Sequence, residues 1–139
     1  MALHPSQTRI LIYSHDLAVR SAARAALGKQ IAANFGENDI HEFATAGALR
    51  AYIDKSASGV DLIILDAEAV PEGGMGIARQ IKDEVFNSPP ILLLTARADD
   101  AWLATWSRAE ATILHPIDPF TFARVAANLI AAREVSSAN

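Results

Sequence analysis

Val60-Asp61-Leu62-Ile63-Ile64-Leu65-Asp66 is the stretch on which the reading of this chain turns. Four large aliphatic residues, Leu62 to Leu65, follow one another without alternation and stop at a carboxylate. A strand with one wet face alternates. A continuous run of this length predicts a strand buried on both faces, as in a parallel sheet covered by helices. Two further runs share the form: Ile10-Leu11-Ile12-Tyr13 ends at Ser14, and Ile91-Leu92-Leu93-Leu94 ends at Thr95. Weaker strand patterns cover Ile40 to Ala44 and Ala111 to Leu114.

Helical periodicity fills the intervals. Asp16 to Leu27 carries a stripe of Val19, Ala22, Ala23, Ala26 and Leu27, with Arg20 and Arg24 outside it and Asp16 as cap. Ala46 to Lys55 carries Leu49, Tyr52 and Ile53; Gly76 to Phe86 carries Ile77, Ile81 and Val85. A fourth helix is expected around Asp100 to Arg108, with Leu103 and Trp106 in its apolar stripe. In the last, Asp118 caps, Pro119 takes the first helical position, and Phe122, Val125, Ala126, Leu129 and Ile130 form the stripe. The segment from Gly28 to Asp39 reads equally as helix extension or loop. Strand and helix thus alternate five times. Right-handed crossovers turn that order into a three-layer α/β domain, a five-stranded parallel sheet with helices on both faces.

The 139 residues suit one domain, expected over 1–139 with its core in 8–134. Hydrophobic residues make up 51% and charged ones 20%, a globular composition. With no cysteine, disulfides and thiolate metal sites are excluded. A net charge of -4 offers nothing that draws in nucleic acid or an anionic membrane from a distance. No secretory leader is recognisable, and the apolar runs are too short to span a bilayer. The expectation is a soluble, cytoplasmic, non-enzymatic domain without an output domain.

In an open parallel sheet, sites form at the carboxyl ends of the strands. Here those ends carry Ser14, His15 and Asp16, then Asp66, Thr95 and His115. Taken singly, each reads as a cap or solvated loop residue. Their convergence from four separate places is what argues for a site.

The pattern from Arg9 to Arg133 resembles the response-regulator receiver family of two-component signalling. The resemblance rests on Val60 to Asp66, on Ile91-Leu92-Leu93-Leu94-Thr95-Ala96, and on Ile113-Leu114-His115-Pro116. It implies a CheY-like, flavodoxin-like fold with strand order 2-1-3-4-5. It also implies that Asp66 matches the residue phosphorylated by a partner histidine kinase. Thr95 matches the hydroxyl that holds the phosphoryl group, and Ala96 the small residue that leaves it room. The bond before Pro116 is expected to be cis.

The departures carry equal weight. The family's acidic pair after the first strand, which binds magnesium, is here Ser14 and His15. Magnesium prefers hard oxygen ligands, so its binding is expected to be weak, with Asp66, Asp16 and His15 the residues left to offer. The family's lysine is His115, whose neutral imidazole supplies no fixed charge. Thr112 stands where the family has an aromatic residue, and the loop through Pro71, Gly73, Gly74 and Gly76 is about one residue longer than the common form. Phosphoryl transfer depends on positioning and charge neutralisation. The expectation is therefore an atypical receiver that acts through protein contacts, with phosphorylation of Asp66 weak or absent; the alternative is a conventional phospho-accepting regulator.

Two remoter readings share the fold. A flavodoxin-like carrier needs a hydroxyl- and glycine-rich phosphate loop after the first strand; Tyr13 to Leu17 offers one hydroxyl and no glycine. His15, His115 and Asp66, with Asp16, could instead hold a transition metal, although the bland reading is that the histidines hydrogen-bond Asp66. His4 and His41 are assigned nothing. Trp102 and Trp106 share a helical face. One of them is expected to be partly exposed, making the fourth and fifth helices the surface for a homodimer or a partner.

Overall fold

The computed structural model describes residues 7–97 and 101–138. Strands β1 (Thr8–Tyr13), β2 (Asn38–Phe43), β3 (Leu62–Asp66), β4 (Ile91–Thr95) and β5 (Ala111–Leu114) alternate with helices α1 (Leu17–Leu27), α2 (Ala46–Ser56), α3 (Gly74–Glu84), α4 (Ala101–Ser107) and α5 (Pro119–Ala138). All pairings are parallel, and the sheet order is β2-β1-β3-β4-β5. The order reverses at β1, which lies between β2 and β3, so the ends of β1 and β3 flank the crevice where such folds place their sites.

The unalternating runs are buried on both sides. Ile10, Ile12, Leu62, Ile64, Leu92 and Leu94 face a core completed by Ala23 and Leu27 of α1 and by Phe122, Ala126 and Ile130 of α5. Leu11, Tyr13, Ile63, Leu65, Ile91 and Leu93 face the opposite core, completed by Leu49 and Ile53 of α2 and by Ile77, Ala78 and Ile81 of α3. Full burial of one such side chain stabilises by ~1.5–3 kcal/mol, so the two cores supply the main driving force.

The caps behave as their residue types require. Asp16 accepts from Ala18 N–H, Thr45 from Ala48 N–H, and Asp118 from Thr121 N–H. α1 ends at Gly28, whose φ of 67° is the left-handed conformation that favours glycine. The ambiguous segment after it is a packed loop as far as Glu37 and enters β2 at Asn38. Ile31 and Phe35 are buried in it, and Asn38 donates back to the carbonyls of Leu27 and Gly28.

Several readings need correction. α3 starts and stops two residues earlier than the 76–86 reading, because Gly74 takes the first turn and the chain leaves the helix at Val85, leaving Phe86 in solvent. Ala22 is exposed rather than part of the buried stripe. Arg20 does not lie outside the packing. Its Nε donates to Glu42 at 3.1 Å, and Nη1 to the Ser14 carbonyl at 2.8 Å. Asp100, the expected start of the fourth helix, lies outside the described residues.

Glu42 ties β2 to α1. Arg24, hydrogen-bonded to it at 2.7 Å, holds its carboxyl below the usual range against the opposing effect of burial, and Arg20 adds to the lowering. A depressed folded pKa contributes stability that is present above the ordinary glutamate value and disappears as pH falls through the folded value. Glu42→Gln is therefore expected to lower stability by at most ~1 kcal/mol at neutral pH. Urea midpoints of parent and variant should converge as pH drops below the usual carboxylate range; a gap that persists there would remove the ion pair from the account.

Candidate functional site

Because every strand runs the same way, Ser14, Asp66, Thr95 and His115 come to one edge of the sheet. Asp66 is the last residue of β3, is 2% exposed, and has Leu94 as its register partner. Thr95, also buried, is one step further along β4. His115 follows β5, and its N–H donates to the Thr95 carbonyl at 2.8 Å.

Both oxygens of the Asp66 carboxylate are engaged. Oδ2 accepts from the buried Ser14 hydroxyl at 2.7 Å. Oδ1 accepts from Glu68 N–H at 2.9 Å and lies 3.1 Å from His115 Nε2. A buried carboxylate is costly unless hydrogen-bonded, and these three partners meet that need from within the chain. Arg20 holds the Ser14 carbonyl, while the Ser14 hydroxyl accepts from Asp16 N–H at 3.0 Å. The residue after β1 is thus fixed from both sides.

The other candidates go elsewhere. His15 is exposed, and its Nδ1 accepts from Val70 N–H at 3.0 Å, so it braces the β3–α3 loop instead of contacting Asp66. The Asp16 carboxylate caps α1. Thr112 is exposed. Among the described residues, no three histidine, aspartate or glutamate side chains converge as a metal ligand set. Beside Asp66 the nearest oxygen donor is the Ser14 hydroxyl, so a hard cation would meet one carboxylate there rather than several.

Glu68 is a member of the site that sequence reasoning missed. Its Oε2 accepts from Ala96 N–H at 3.3 Å, bridging the loops that follow β3 and β4. Its place two residues past Asp66, on the carboxyl edge, was the available signal. His115–Pro116 is cis as expected, and Val70–Pro71, which the sequence did not single out, is cis as well. Beneath the loop, a Cβ on Gly73 would stand 2.6 Å from the Ala67 carbonyl oxygen, and one on Gly74 2.9 Å from Leu65 Cβ. Glycine at both positions lets α3 begin directly against the end of β3.

A doubly wound parallel sheet with a buried aspartate at the end of its central strand is the architecture of receiver domains, and solved structures match it closely. A CheY-like receiver domain protein from Methanospirillum hungatei superimposes with a TM-score of 0.75 at 19% identity, over 94% of this chain and 99% of its own. A receiver domain protein from Clostridium thermocellum gives 0.76 at 18%, over 92% and 98%. No family model matches the sequence. Two response regulatory proteins from two strains of Mycobacterium tuberculosis, both described as uncharacterized, are each 47% identical over 124 residues, 89% of this chain and 92% of theirs. The chain belongs to the response-regulator family and is a receiver domain of two-component signalling. None of its helices, among the described residues, is long and apolar enough to cross a membrane.

Proposed function

We propose that this receiver signals mainly through protein contacts, with phosphorylation of Asp66 weak or absent and magnesium bound poorly. The observation that carries this reading is the set of partners on Asp66, Ser14, Glu68 N–H and His115, which contains no second carboxylate and no lysine. An incoming phosphoryl group needs a free carboxylate oxygen and nearby positive charge. Here the partners of Asp66 are a hydroxyl, a backbone amide and an imidazole, none of them a fixed cation, and Ser14 and His15 offer no carboxylate to hold one. Incubation with acetyl phosphate and magnesium, followed by intact mass measurement, is expected to find little or no added phosphoryl mass over an hour. Rapid stoichiometric labelling abolished by Asp66→Asn would establish the conventional reading instead, in which a histidine kinase phosphorylates Asp66. That reading draws on the retention of Asp66 and Thr95 at adjacent strand ends.

The proposed output surface is the α4–β5–α5 face, where a histidine kinase, another signalling protein or a second copy would dock. Both tryptophans are exposed, Trp102 at 68% and Trp106 at 47%, and Leu114 and Phe120 are exposed with them. Arg79 lies over the Trp106 ring at 5.2 Å from its centroid, which orients the indole without covering it. Trp102→Ala is expected to weaken association by ~2 kcal/mol or more while moving stability by no more than ~0.5 kcal/mol. Sedimentation paired with a melting curve reads both. A large fall in the melting temperature would return Trp102 to a structural role.

A further inference from the structure

We propose that Glu68 is a tethered anion that occupies the phosphoryl slot of this receiver and keeps exogenous anions out. The inference rests on the reading of the Asp66 pocket given above and extends it to a specific residue.

The first observation is the fate of the Ala96 N–H. β4 ends at Thr95, and Ala96 lies beyond its pairing with β5, which stops at Thr95 and Leu114. Glu68 Oε2 supplies the acceptor instead, at 3.3 Å. The second is the placement of Glu68 itself. Its own N–H donates to Asp66 Oδ1, which holds the residue directly beside the acceptor carboxylate. The third is the occupation of the imidazole donor, since His115 Nε2 faces Asp66 Oδ1. An anion arriving next to Asp66 would look for a strand-end amide and a side-chain donor. Both are already satisfied by carboxylates of this chain. Its net charge would add to those of Asp66 and Glu68, and no lysine or arginine is bonded to either carboxylate in the described residues. Glu68 is exposed, so its side chain can leave the amide without unpacking the core. That makes it a plug rather than a wall.

The test uses beryllium fluoride, a phosphoryl mimic, and acetyl phosphate on the full chain, in two backgrounds. One is the parent; the other carries Ser14→Asp and His15→Asp, which return oxygen ligands for magnesium. Glu68→Ala and Glu68→Gln are introduced into each. Bound fluoride is followed by fluorine NMR and labelling by intact mass, with circular dichroism confirming the fold. Glu68→Ala is expected to raise the labelling rate at least ten-fold in the ligand-restored background. Glu68→Gln, which loses the charge but keeps an oxygen for Ala96 N–H, should fall between it and the parent. No gain from Glu68→Ala in either background overturns the plug. The two readings separate cleanly: rapid labelling of the unmodified chain would sink weak phosphorylation, while the ratio between Glu68→Ala and Glu68 proteins still decides the plug.

Discussion

Ser14→Asp, His15→Asp and His115→Lys together are expected to raise acetyl-phosphate labelling of Asp66 on the order of a hundred-fold or more, because phosphoryl transfer is governed by charge neutralisation and positioning. Each change acts on a bond described above. Ser14→Asp removes the hydroxyl that donates to Asp66 Oδ2 and sets a second carboxylate beside it. His15→Asp adds a third acidic group and releases Val70 N–H. His115→Lys replaces the imidazole beside Asp66 Oδ1 with a fixed cation. Single changes are expected to do little, since a lone carboxylate beside Asp66 repels and a lone lysine pairs with it. Without a cation the triple variant should be less stable than the parent, because like charges are forced together in a buried place. Magnesium, by binding only the folded form, should restore that stability. A triple variant that folds, binds magnesium and still fails to label would show that charge loss is not what silences this pocket.

The sheet was legible because its central strands carry a pattern that few folds accommodate. Leu62 to Leu65 and Ile91 to Leu94 cannot sit in a half-wet sheet, and helices on both faces follow from them. The edge strands were harder to place. β2 starts at Asn38, two residues before the expected Ile40, because Asn38 and Asp39 pair with β1 despite being polar. Edge strands are half wet, so hydropathy does not mark their ends. The start of α3 was missed for another reason: Gly73 and Gly74 read as loop residues, whereas the close approach of the helix to β3 demands them.

The candidate site was legible as a place and only partly as a set of contacts. Strand ends predicted that Asp66, Thr95 and His115 would meet, and His115 does reach Asp66. They could not predict that Ser14 would bond Asp66 while its neighbour His15 turns to Val70. Adjacent residues leaving a strand diverge, and which one faces inward is decided by the loop opposite. Trp102 and Trp106 illustrate the same limit. Helical spacing put them on one face, but only the packing of α4 on α3 leaves both indoles outside.

Phe122→Ala should cost ~3–5 kcal/mol, as removal of a buried phenyl does, whereas Phe120→Ala should change stability by no more than ~0.5 kcal/mol. Two residues apart on α5, the rings lie in opposite environments: Phe122 is fully buried, and Phe120 is 88% exposed. Phe122 belongs to the core that joins α1 and α5 to the sheet through Ile12, Ile64 and Leu94, so truncation leaves a cavity that α5 cannot fill by itself. Against a total stability of roughly 5–15 kcal/mol, that loss is severe. It should lower Tm by roughly 10–20 °C, since a domain of this size loses a few degrees per kcal/mol. Phe120 begins the helix on the side away from that core, beside the proposed output surface. Its truncation is expected to leave the melting curve in place and to weaken association. Urea titration with sedimentation on the two variants separates the faces of one helix. Equal losses of stability from both would mean that α5 has no free face to offer a partner.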